Sequence, residues 1–314
     1  MSDLEYTPQE PEQNPFSAPG QALPPAAENT DDAPELFQTW SRIEIARPAR
    51  IPHLGHLCLL AAFAMVGFVC ATLAMMAAVH IHLFGAASMV KAATDVHYIL
   101  GSETIIYLIT LTGSLLLFPL LWNKSFFAGI QWRGAAALDW RLPATAVGCF
   151  ALAALDETLL PGPNHAPIED VFRSPGAAWL MFAFGVTFAP FFEEIAFRGF
   201  LLPSLATAWD WAIEKSTGKP ARPLDANGHP QWSIFAMVAA SIATSLPFAL
   251  MHADQQGHSL GPFLLLVTVS LILCAVRLVT RSLAASTLVH ACYNFMIFFL
   301  MLVSTGGFRH LDKM

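Results

Sequence analysis

Glu193, Glu194 and Arg198 stand inside the run Phe191-Phe192-Glu193-Glu194-Ile195-Ala196-Phe197-Arg198-Gly199, and the flanking stretches 177–192 and 199–208 hold no ionisable side chain. A charge at the middle of a membrane helix costs roughly 2.5 to 3.5 kcal/mol, so three together are kept only where something uses them. At about 3.6 residues per turn, Glu194 and Arg198 share a helix face and can form an ion pair, while Glu193 lies about 100° away. The spacing thus predicts one glutamate held by the arginine and one left free. Further along, Phe248 and His252, and then His290 and Asn294, are each one helical turn apart. Two glutamates, two histidines and an asparagine on three apolar segments suffice for a hydrolytic site. The free carboxylate would act as general base, the imidazoles would hold a water or a metal, and the amide would donate to an oxyanion. Counted inward from the basic ends of their segments, His290 lies about 12 Å deep and His252 about 25 Å, with Glu193 between them. Convergence therefore requires a bend, which Pro247 can supply.

Each element also has a plainer reading. The Glu-Glu-Arg cluster could be a buried lock between helices, His252 an interfacial residue, and His290 with Asn294 polar glue between helices. At the level of function, the rivals to an enzyme are a catalytically silent membrane scaffold or immunity-type protein, and a proton-coupled transporter using Glu193, His252 and His290 as a relay. Intact motifs favour the enzyme over the scaffold, and the lack of an evident internal repeat counts against the transporter. GxSxG and HExxH signatures are absent, which leaves a glutamate-dependent hydrolase among protease chemistries.

The elements that must position these residues follow from composition. The chain is 55% hydrophobic and only 12% charged, with a mean hydropathy of +0.53, which excludes an ordinary soluble globule. Seven stretches have the length of about 20 residues that a bilayer demands: 57–84, 98–122, 142–160, 177–205, 235–252, 262–279 and 283–303. The expected fold is an all-α, polytopic transmembrane helical bundle of seven to eight spans. Eight tryptophans near span ends suggest an interfacial belt, and His53, His56, His80, His82 and His97 are expected at headgroup level. The five cysteines lack CxxC spacing and read as small packing residues rather than a metal knuckle or disulfide framework.

Charge adds orientation. The net charge of −7 belongs to the tail, because residues 1–50 carry nine acids against three arginines. No basic stripe points to nucleic acid. Residues 1–35 hold seven prolines and little to bury, so a disordered tail is expected, with a segment at 36–51 lying on the membrane surface. Arg42, Arg47 and Arg50 precede span one, Lys124, Arg133 and Arg141 follow span two, Lys215, Lys219 and Arg222 follow span four, and Arg277 and Arg281 close span six. These loops share one side, so the positive-inside rule predicts a cytoplasmic amino terminus. Seven spans would put the carboxyl terminus outside, against which Arg309 and Lys313 argue. The first apolar run begins only near Leu57 without a basic leader, so no signal peptide is expected.

Glu-Glu-xxx-Arg, Phe-xxx-His and His-xxx-Asn, in that order on successive apolar segments, resemble the CPBP intramembrane protease family, which includes the CAAX prenyl protease 2 enzymes and bacterial lysostaphin-resistance protein A homologues. The resemblance covers about residues 177–303 and implies a catalytic membrane domain there; composition and span spacing set off a tail (1–50), N-terminal helices (51–176) and a short C-terminal tail (304–314). It implies that Glu193 is the catalytic glutamate, that Glu194 and Arg198 support it, and that His252 helps to hold the attacking water or a metal. His290 and Asn294 would stabilise the oxyanion or complete that site. The family is usually labelled metalloprotease, so Zn²⁺ held by Glu193, His252 and His290 is one expectation, and metal-free glutamate catalysis is the other. The implied partners are the bilayer and a membrane-embedded or membrane-tethered peptide, CAAX-type or otherwise, and the implied location is a bacterial plasma membrane.

Overall fold

The computed structural model describes residues 50–310, apart from 161, 164, 165, 173, 226 and 227. The expected disordered tail, Arg42, Arg47 and Lys313 lie outside the described residues, as does most of the expected surface segment.

Each long apolar run is helical. The helices are α1 (Leu54–His80), α2 (Val96–Trp122), α3 (Arg141–Leu159), α4 (Pro175–Val186), α5 (Phe188–Glu194), α6 (Leu202–Thr217), α7 (Ile234–Met251), α8 (Leu260–Thr280) and α9 (Leu283–Ser304), with a π-helical turn, Ile195–Leu201, joining α5 to α6. Seven stretches among the described residues are long and apolar enough to cross a membrane, α4 to α6 counting as one stretch, Pro175–Thr217. There is no strand element among those residues. The protein is an all-α, multi-pass integral membrane protein. Many large side chains point outward, as lipid contact requires, among them Met65, Phe68, Leu116 and Leu120.

The fourth stretch is not the uniform rod expected over 177–205, and its sequence explains why. Pro190 has no N–H to give the Val186 carbonyl, so α4 ends there and the chain turns at Thr187 before α5 begins. After Glu194 the helix widens, and the Leu202 N–H bonds to the Phe197 carbonyl, five residues back. Such π turns recur at functional sites because the extra residue re-aims the side chains around it. Here the turn carries Arg198 and packs against α1, α7, α8 and α9.

Polar anchors tie the ends of these helices together on the side of the basic loops. Asp210 accepts from the Ser233 N–H at 2.8 Å and its hydroxyl at 2.5 Å, and the Ser233 Oγ in turn caps α7 by accepting from the Ala236 N–H at 3.1 Å. The Ser282 hydroxyl donates to the Arg133 carbonyl at 2.8 Å, joining the start of α9 to the loop after α2. Arg50 pairs with Glu214 at 2.7 Å. Aromatic packing supplies the rest, with Phe118, Trp122, Phe126 and Phe200 forming one cluster that joins α1 and α2 to the π turn.

Several side chains have surroundings that the sequence did not indicate. Trp122 and His56, both expected at the interface, are buried, and the Trp122 indole N–H donates to His56 Nε2 at 3.0 Å. The bond satisfies the buried indole N–H. Arg277, read as a loop cation, is also buried and donates to the Ile130 carbonyl at 3.3 Å. Of the cysteines, Cys149 and Cys274 are buried, but Cys58 and Cys70 lie exposed on α1, where a small apolar thiol meets lipid without penalty.

Candidate active site

Four elements bring the expected residues together: α5 with its π turn, α7, α8 and α9. Glu194 and Arg198 are both fully buried, and the Arg198 guanidinium donates to Glu194 Oε1 at 2.8 Å. Its other arm donates to the Ser270 hydroxyl at 2.7 Å and the Ser270 carbonyl at 3.1 Å on α8. This fork needs arginine, because an ammonium cannot reach both partners in one plane. Ser270 had no signal in the sequence, being one serine in an apolar run whose role depends on which helix lies beside it.

Phe248 packs at the centre of the constellation. Its ring centroid lies 4.6 Å from the Arg198 guanidinium carbon, 5.0 Å from the His252 ring and 5.8 Å from the His290 ring. The aromatic of the Phe-xxx-His pair therefore holds a cation on its face and both imidazoles about it. α7 runs on through Pro247, and His252 terminates it.

Hydrogen bonds assign the imidazole nitrogens. His252 Nδ1 lies 2.9 Å from the Phe248 carbonyl, and His290 Nδ1 lies 3.1 Å from Glu194 Oε1. Both partners are acceptors, so each Nδ1 carries the hydrogen, and in the neutral ring each Nε2 presents a lone pair. Both lone pairs face Glu193: His252 Nε2 is 3.9 Å from Oε1, and His290 Nε2 is 3.8 Å from Oε2. Glu193, whose side chain is 12% exposed, has no cation of its own. The Glu193 carboxyl oxygens and the Nε2 atoms of the two neutral rings converge, at distances too long for direct hydrogen bonds. The arrangement is complementary to a molecule with two O–H groups.

Asn294 lies one turn beyond His290 on α9, and its Nδ2 donates to the Gly185 carbonyl on α4 at 2.8 Å. One amide hydrogen is thus spent on joining two helices, and the other is not. Glu193, His252 and His290 are donor types that zinc accepts, yet among the described residues no group of three or more His, Cys, Asp or Glu side chains is arranged to hold a metal ion. The structure also shows two residues that the motifs did not include. Tyr107 of α2 stacks on Phe192 with ring centroids 4.4 Å apart, and both Tyr107 and Glu103 act electrostatically with Glu193. Glu103 could have been found as the lone acid in an otherwise uncharged apolar run.

Fold and site together define a multi-pass helical membrane protein with a buried acid–base centre. Over residues 175–296 the chain is similar to the Type II CAAX prenyl endopeptidase Rce1-like family, whose family model matches there, and this bears out the resemblance drawn from the three motifs. Neither the comparison with curated proteins nor that with solved structures finds a match.

Proposed function

We propose that this protein is an intramembrane endopeptidase that hydrolyses peptide bonds of membrane-embedded or membrane-tethered substrates, CAAX-type peptides among them, using water activated by Glu193. The observation that carries the reading is the convergence of the Glu193 carboxylate with the Nε2 lone pairs of His252 and His290. A water among these groups gives one hydrogen bond to Glu193 and one to an imidazole, which orients its own lone pair outward. Glu193 takes the proton as the water oxygen attacks the peptide carbonyl carbon. It returns that proton to the leaving nitrogen as the C–N bond breaks. The amide hydrogen that Asn294 does not give to Gly185 is assigned to the oxyanion. Glu194 holds the His290 ring by Nδ1, and Arg198, fixed by Ser270, holds Glu194.

The steps above use this chain's own groups, and Glu193, His252 and His290 are the residues that would hold a zinc ion, which would polarise the same water. Two comparisons test the reading on purified protein in lipid, with a panel of membrane peptides that includes a prenylated one. Wild type should cleave, and Glu193→Gln should be slower by about 10²- to 10⁴-fold, the range that general bases contribute. Equal cleavage by both would reject Glu193 as the base. Cleavage should also survive a chelator, whereas loss on chelation and recovery with added zinc would replace the water-only mechanism by a metal-assisted one.

A further inference from the structure

Glu103 is the only Asp, Glu, Lys or Arg between Val96 and Trp122 of α2, and it is partly buried on a membrane-spanning helix. Such a carboxylate costs several kcal/mol unless something compensates it. Among the described residues it makes no hydrogen bond or ion pair, and the charged group it acts on is another carboxylate, Glu193.

Its direction is fixed by its neighbour. Tyr107, one turn further along the same face, stacks on Phe192 at 4.4 Å and on Phe184 at 6.0 Å, so this face of α2 is turned toward the junction of α4 and α5, beside Glu193. The charged groups acting on Glu193 are His290, Glu194, Arg198 and Glu103. Arg198 is spent on Glu194 at 2.8 Å, and His290 gives its Nδ1 hydrogen to the same carboxylate. Glu103 is left as a carboxyl group without a cation on the face of α2 that is turned toward the reacting carboxylate.

We infer that Glu103 is a substrate-binding residue that selects peptides carrying a basic side chain or a free amino group where they pass α2. This rests on the proteolytic reading for the identity of the ligand as a peptide. A lysine or arginine at that register supplies the missing cation, and an acidic residue or a terminal carboxylate there meets two like charges, Glu103 and Glu193. The sequence-selective element of the site then comes from the N-terminal helices rather than from the three motifs.

The test reads binding separately from cleavage. A fluorescent leucine-rich membrane peptide, with one lysine walked along its length, is titrated against full-length Glu193→Gln protein in lipid nanodiscs, and the series is repeated with glutamate in place of lysine. At one register lysine should tighten binding by about tenfold over leucine and glutamate should weaken it. Adding Glu103→Gln should erase that preference, and adding Glu103→Lys should reverse it. If the reversed variant does not fold, the Glu103→Gln comparison carries the decision. The inference is overturned if no register favours lysine, failure to bind at any register included, or if the preference survives Glu103→Gln. Cleavage of the same peptides by wild type without charge preference overturns this inference alone. Charge-selective binding without cleavage overturns the proteolytic reading and leaves Glu103 as the selector.

Discussion

Glu193 and Glu194 are adjacent in the chain and differ in what surrounds them. Glu194 is fully buried between Arg198 and His290, whereas Glu193 has no hydrogen bond and faces two imidazole lone pairs. Their replacements should therefore separate activity from stability. Glu193→Gln removes the base without orphaning a partner, so its thermal unfolding in detergent should match wild type while turnover collapses. Glu194→Gln leaves the Arg198 charge buried and unpaired, a change that costs about 3 to 5 kcal/mol in comparable sites. Its unfolding transition should fall well below that of wild type, and a transition unchanged by Glu194→Gln would show that the pair is not dry. Arg198→Lys should be nearly as damaging, because a lysine cannot keep both Glu194 and Ser270, and its unfolding midpoint measures that directly.

At the scale of elements, the site depends on helices that approach closely. A Cβ on Gly67 of α1 would lie 2.9 Å from the Ile106 Cα on α2, so any larger residue must push backbone against backbone. Gly67→Val should destabilise the α1–α2 hairpin by about 1 to 3 kcal/mol, the usual cost of overpacking, measurable as a lower midpoint in chemical unfolding. A Cβ on Gly185 would meet the Phe298 ring at 2.7 Å, and the same residue's carbonyl takes the Asn294 amide. Gly185→Leu should separate α4 from α9, lowering turnover as well as stability, because the separation also moves the helix that carries His290. The elements themselves were legible because bilayer-length apolar runs leave one option for a backbone whose polar groups must pair internally. The pairing of Glu194 with Arg198 was legible from four-residue spacing alone. The Ser270 anchor and the burial of Trp122 with His56 were not, because each depends on a neighbour distant in sequence, whereas the break at Thr187 follows from Pro190 nearby. The His290 tautomer was hidden for the same reason, since the carboxylate that sets it lies on another helix.

For the whole molecule, the basic loops are gathered at one end of the bundle, and side-chain and backbone contacts connect them there. Arg50 pairs with Glu214, the Ser282 hydroxyl donates to the Arg133 carbonyl, and the Leu283 N–H donates to the Gln131 carbonyl at 3.0 Å. The opposite end has its own cross-tie, the Ile168 N–H donating to the Gln255 carbonyl at 3.1 Å, so the chain has two distinct faces. By the positive-inside rule, the face expected inside is the one that holds Lys124, Lys215, Lys219 and Arg222. In a version with the five native cysteines replaced, Lys219→Cys should react with a membrane-impermeant thiol reagent only after cells are opened, and Asp254→Cys should react in intact cells. Asp254 is a suitable reporter because its side chain is 91% exposed and its one ionic contact, with His258, is a surface contact that contributes little to stability. Arg309 follows the seventh span, so Arg309→Cys should label with Asp254→Cys. Labelling of Arg309→Cys only after opening would mean that the last span does not cross.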